Sequence, residues 1–291
     1  MPSLLKTIIH GIQEDFGRPA SLYALLDDYP DLSCPPSEPA RNIASESVVR
    51  WHEWGGKDGD VLGWQYDFDT YQSFRTTRSE FANFGICKIT EVWKCDIQDV
   101  DGLANSKTKL QDFDTLDRMV ETKAPDLIDP ITAERLRENL EYYGIRILHE
   151  KHSDFFASYL WDGRVFLINS DGSHHFAAAR YIAARIGLPV PLRGKLRTYA
   201  INEMAVSSLQ RDYEMFVISD ATNANLGFHH AMKNFRASYL WKELPHQHKD
   251  SIAILLPRSD SRSMKVAAVM REAGTFDLGL YLRGLVERQY R

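Results

Sequence analysis

Apolar positions near the start of the chain, Leu4, Leu5, Ile8, Ile9 and Ile12, recur at three- and four-residue steps. That spacing predicts one or two amphipathic helices over residues 4–28, ending near Asp27-Asp28-Tyr29-Pro30. Pro30, Pro35, Pro36 and Pro39 follow within a short stretch and predict a linker or extended surface loop. From about 43 to 97 the period shortens. Aromatic and β-branched residues alternate partially with polar ones, punctuated by Gly55-Gly56 and Asp58-Gly59, which predicts strands and hairpins. Residues 98–129 are acidic and weakly periodic. A helix is expected over 129–144, capped by Asp129, with Pro130 at its first position and Gly144 at its end.

In the second half, residues 145–150 read as a short strand. Residues 155–169 read as two strands joined by Asp162-Gly163, a dipeptide that tolerates the left-handed geometry of a tight hairpin. An alanine-rich helix is expected over 174–186, closed by Gly187, followed by an extended segment. Residues 204–220 suit either helix or strand. The apolar run 251–257 precedes two amphipathic helical stretches, 261–273 and 277–290.

Composition narrows the class. With 291 residues, 44% hydrophobic and 26% charged, the chain has ample material for a folded core. No run approaches the ~18 apolar residues of a membrane span, and the N-terminus carries no signal-peptide cleavage pattern, so no membrane partner is expected. Cys34, Cys87 and Cys95 are too few and scattered for a disulfide framework or zinc site, which points to a reducing, cytoplasmic setting. The net charge of −5 is unevenly distributed. Residues 1–145 hold 15 Lys and Arg against 26 Asp and Glu; residues 146–291 hold 20 against 14. Eight of the ten histidines also lie in the second half. The asymmetry suits two modules that attract each other, or an anion site in the second.

The segment 167–189 concentrates the candidate chemistry. An apolar strand ends in Asn169-Ser170-Asp171-Gly172-Ser173, and His174 and His175 open the next helix. A strand feeding a helix through such a turn leaves the first helical N–H groups unpartnered, and those groups with the helix dipole favour an anion. Gly172 can take a positive φ and let the backbone approach a ligand; Ser170, Asp171 or Ser173 could cap the helix. The plain alternative is a well-capped helix with surface histidines. The stretch fits neither the Walker pattern nor GxGxxG.

The order strand, Asp-Gly hairpin, strand, then Asp171-Gly172-Ser173-His174-His175-Phe176-Ala177-Ala178 resembles the ParB/sulfiredoxin-like superfamily, over roughly residues 145–220. There the turn reads Gly-Glu-Arg-Arg in ParB-type members and Gly-Cys-His-Arg in sulfiredoxins. The resemblance implies that the turn, the helix N-terminus and the basic residues hold the phosphates of a nucleotide; turnover of ATP or CTP would bring Mg2+ to neutralise those phosphates. Ser173 stands in place of the sulfiredoxin cysteine, so sulfinic-acid repair is not expected. His175 replaces an arginine, and a neutral imidazole brings no charge to phosphate. The resemblance also makes Glu150 an acid/base or metal-holding candidate beside His174; the simpler reading is an exposed strand-end carboxylate.

Other clusters carry less. His149, Glu150, His152 and Asp154 lack the spacing of a zinc protease helix. Arg193, Lys195 and Arg197 alternate and would share one strand face, where with Arg180 and Arg185 they would form a phosphate or nucleic-acid patch, or a solvated edge. His229-His230, His246 and His248 read as loop histidines. The aromatics of residues 51–74 lie among aspartates and suit a β core better than base stacking.

The sequence therefore predicts an α+β protein. It comprises N-terminal helices and a linker (1–40), an acidic β-rich module (41–128), and a ParB/sulfiredoxin-like domain with a C-terminal helical extension (129–291). Its expected ligand is a nucleotide or phosphate, bound by Ser170 to His175 with Arg180 and Arg193 as charge partners and Glu150 and His174 as candidate chemistry; hydrolysis or phosphotransfer would follow from the resemblance. A DNA-binding or DNA-nicking protein remains open, as does a non-enzymatic inhibitor that sequesters a protein partner for a mobile genetic element.

Overall fold

The structure is a computed structural model and describes residues 4–35, 40–149 and 153–290, with residues 4–8 by backbone alone. In chain order it opens with α1 (Leu4–Asp15), α2 (Ala20–Asp28), β1 (Asp60–Asp67), β2 (Thr70–Thr77) and α3 (Ser79–Ala82). β3 (Gly85–Asp96), β4 (Gly102–Leu103), α4 (Leu116–Lys123) and α5 (Ala133–Leu140) follow. Next come β5 (Phe155–Tyr159), β6 (Val165–Ile168), α6 (Ser173–Ile186) and β7 (Pro191–Ile201). The last elements are α7 (Glu203–Asp212), β8 (Tyr213–Ser219), α8 (Thr222–Phe235), β9 (Tyr239–Glu243), β10 (Ser251–Pro257), α9 (Ser261–Glu272) and α10 (Leu278–Arg288). The protein is thus α+β.

These elements form two units, each assembled from distant segments. The first takes Met1–Glu38, Arg50–Gly85 and Ile201–Glu287; the second takes Pro39–Val49, Ile86–Ala200 and Arg288–Arg291. The boundaries expected at 40/41 and 128/129 both fall inside segments of the second unit.

The first unit is built on an antiparallel sheet ordered β2-β1-β9-β10-β8. β10 is the apolar run 251–257, buried at every residue but the last, as a central strand covered on both faces must be. Leu22, Phe216, Ile218, Phe228, Met232, Phe235, Ile254 and Met270 fill its core. The β1–β2 hairpin turns at Phe68 and Asp69, both at positive φ, and not at either glycine dipeptide. The first-half aromatics are largely structural: Trp51 and Trp54 are buried, and Trp64 stacks on Tyr71. His229 and His230 lie on helix α8, not in a loop, because Phe228, Ala231, Met232 and Phe235 give that segment an apolar helical face.

The second unit holds a mixed sheet ordered β3-β7-β5-β6-β4. β5 and β6 form the expected hairpin, with Gly163 at φ +81°, while β5 pairs β7 in parallel. Helices α4, α5 and α6 pack with this sheet around Met119, Val120, Phe156, Phe176, Ala178 and Ile182. Two local readings change. α5 starts at Ala133, capped by the Thr132 hydroxyl accepting from Arg135 N–H at 3.2 Å, in place of a cap by Asp129. Residues 146–148 form a 3-10 turn, not a strand: the backbone closes on itself, Leu148 N–H to Ile145 C=O, while Ile145 and Ile147 point into the core. No helix among the described residues is long and apolar enough to cross a membrane.

Candidate functional site at the start of helix α6

Strand β6 runs into α6 through Asn169 to Gly172, all within the second unit. Asn169 is buried and ties the turn to the loop after β4. Its Oδ1 accepts from the N–H groups of Ala104 and Asn105, both at 3.1 Å, and its Nδ2 donates to the carbonyls of Asn105 and Asp171. Ser170 donates to Oδ1 of Asp154 through both its N–H (3.1 Å) and its hydroxyl (2.7 Å). Asp171 Oδ1 accepts from the adjacent Gly172 N–H at 2.7 Å. Ser173 Oγ bonds Ser106 Oγ at 2.9 Å.

None of the three expected side chains caps the helix. The residue at the N-cap is Gly172, at φ +74° and with no side-chain bond to the first turn. The glycine's close approach is also to the protein itself: a Cβ here would overlap the carbonyl of Gly144. Phe176 N–H makes the first helical bond, to Gly172 C=O, so the N–H groups of Ser173, His174 and His175 are the orphan donors of the helix start.

Those donors adjoin a cleft of about 350 Å³ between the turn, the 105–107 loop, Leu127 and Tyr142. His174 Nε2 sits 2.8 Å from Thr108 Oγ1. Burial lowers its pKa below the ordinary histidine value, and nearby Lys107 lowers it further. His175 stacks on Tyr142 with ring centres 3.8 Å apart, and its Nδ1 is 3.0 Å from Asn139 Oδ1. Burial again lowers its pKa, with His174 adding to the shift and Asp171 opposing it. Both imidazoles are therefore neutral at pH 7. Among the described residues the cation bordering the cleft is Lys107.

The remaining candidates do not gather here. Arg180 lies two turns along α6, where it pairs with Asp117 at 2.9 Å; Arg185 bonds the other Asp117 oxygen at 3.1 Å. The acidic face of α4 consumes both charges. Arg193, Lys195 and Arg197 do share one face of β7, lining a different cleft with Asp154. Glu150 lies outside the described residues. Sequence reasoning missed Asn105, Ser106, Lys107, Thr108, Asn139 and Tyr142, which reach the site from other elements, and weighed Asp154 only as part of a zinc pattern, not as the partner of Ser170. The small polar run of residues 104–108 was the one local hint.

With this geometry in view, a family model can be placed on the chain. The model of DUF6685, a family of unknown function, matches residues 90–291. The chain belongs to this family. The DUF6685 span contains every residue of the cleft described above and all of strand β7. No curated protein and no solved structure matches the chain.

Proposed function

We propose that this member of DUF6685 binds a phosphate-bearing ligand, a nucleotide such as ATP or CTP, in the cleft at the start of α6. The observation that carries this reading is the uncapped N-terminus of a 14-residue helix opening beside Lys107 in a cleft of ligand size. Backbone N–H groups and the helix dipole supply the positive potential that the missing arginine would otherwise give. Resemblance of the strand–turn–helix to the ParB/sulfiredoxin-like turn supports the same ligand class.

The site suits binding more than turnover. Among the described residues no group of three or more His, Cys, Asp or Glu could hold a metal ion. A nucleotide would bring magnesium bound to its own phosphates. For hydrolysis, His174 and His175 are neutral at pH 7 and so able to accept a proton. Isothermal titration with ATP, CTP and ADP, with and without magnesium, tests the reading. Saturable heat that is lost in Lys107→Ala supports it, and no heat from any of the three removes it.

A further inference from the structure

The second unit has another cleft, about 720 Å³, on the β7 face, which shares no lining residue with the first. Two buried groups in its wall are left without partners. Asp154 is only 5% exposed; its Oδ1 takes both bonds from Ser170, while its Oδ2 has no hydrogen-bond partner among the described residues. Arg197 lies against the Phe155 ring, 4.1 Å from its centre, and its buried Nε likewise has no acceptor. Buried polar groups are almost always satisfied, so an unfilled acceptor and an unfilled donor in one cleft point to a ligand that supplies the complement of each. The charges narrow its class. Among the described lining residues Glu91 pairs with Lys195 at 3.1 Å, which leaves exposed Arg193 and Arg197 against Asp154.

We propose that this cleft binds a small phosphate monoester whose carbon frame carries a hydroxyl, the chemistry of a sugar phosphate. The phosphate meets Arg193 at the mouth and the Nε–H of Arg197 inside, since guanidinium groups match phosphate oxygens in geometry as well as charge. The hydroxyl donates to Asp154 Oδ2. Neither half alone fills both orphan groups, so the site discriminates against inorganic phosphate and against the free sugar. This inference does not rest on nucleotide binding at α6.

Isothermal titration of the full chain with ribose 5-phosphate, inorganic phosphate and ribose tests it. Ribose 5-phosphate should bind at least roughly tenfold more tightly than either fragment, the discrimination expected of a buried hydrogen-bonding site. Arg193→Ala and Arg197→Gln should each weaken it severalfold, with circular dichroism unchanged. Because Arg193 is exposed, its variant keeps the test valid even if Arg197→Gln fails to fold. Absence of heat from ribose 5-phosphate overturns the proposal. So does binding that survives Arg193→Ala unchanged, or binding lost in Lys107→Ala in place of Arg193→Ala, which would locate the ligand in the α6 cleft.

Discussion

Asn139 on α5 fixes the tautomer of His175 on α6. Its Nδ2 donates to the carbonyls of Leu127 (2.8 Å) and Arg135 (2.9 Å), so its Oδ1 is the atom left facing the ring. The imidazole nitrogen 3.0 Å from that oxygen must therefore carry the proton, and Nε2 of His175 is the bare acceptor. A helix that reads in sequence as an ordinary amphipathic segment thus sets the chemistry of the next one.

Removing that amide should cost stability. Asn139→Ala leaves the partly buried carbonyl of Leu127 without its donor and His175 Nδ1–H without its acceptor, an expected loss of about 1–3 kcal/mol. Urea denaturation of the variant measures this directly. A change below ~0.5 kcal/mol would mean that water replaces the amide at no cost.

Two glycines flank α6 with similar backbone conformations and different surroundings. Gly172 (φ +74°) lies against the Gly144 carbonyl, whereas Gly187 (φ +67°) has open space at its Cβ position. Gly187→Ala should cost about 1 kcal/mol from left-handed strain alone. Gly172→Ala adds a steric overlap with backbone and should lower the melting temperature further. Equal shifts for the two variants would contradict the packing argument.

Phosphate affinity at the α6 cleft should rise as pH falls from 7.5 to 5.5. His174 and His175 are neutral at pH 7, because burial depresses both pKa values. Protonation adds positive charge beside a bound anion, so binding and proton uptake favour each other. Titrating ATP at several pH values, in wild type and in the double variant His174→Gln/His175→Gln, checks this. The variant should lose most of the pH dependence; the same slope in both proteins would place its origin in the nucleotide.

Arg180 offers a negative control. It was the charge partner suggested by its place on α6, yet Asp117 holds it two turns from the cleft. Arg180→Gln should leave nucleotide affinity within about twofold and cost only about 0.2–1 kcal/mol of stability, the range for a partly exposed ion pair. A large loss of affinity would show that the pair opens to reach the ligand.

Acid should destabilise the first unit well above the carboxylate range. Burial, and then the charge of Arg50, pushes His52 down to about 4; Glu53 lies 3.3 Å away but is too exposed to hold the ring charged. Between pH 6.5 and 4 the unfolded chain binds a proton that the folded chain refuses, so stability falls as pH drops through that window. Melting temperature followed from pH 7 to 4 should decline less steeply in His52→Gln than in wild type. Parallel curves would remove His52 as a source of acid lability.

Local chemistry alone determined much of this protein. Periodicity located α1 and α2, Asp162-Gly163 set the β5–β6 hairpin, and Gly187 ended α6, because each signal acts over a few residues through backbone sterics and one apolar face. The junction of strand and helix at residues 169–173 was legible for the same reason. What only the tertiary structure decided was partnership across the chain. The two units interleave their segments, so no linear boundary could mark them. Arg180 found Asp117, His175 found Asn139 and Tyr142, Ser170 found Asp154, and the backbone of Gly144 occupied the space that Gly172 leaves. Each partner comes from a different element, brought close by burial of apolar faces that carry no label for the polar groups they deliver.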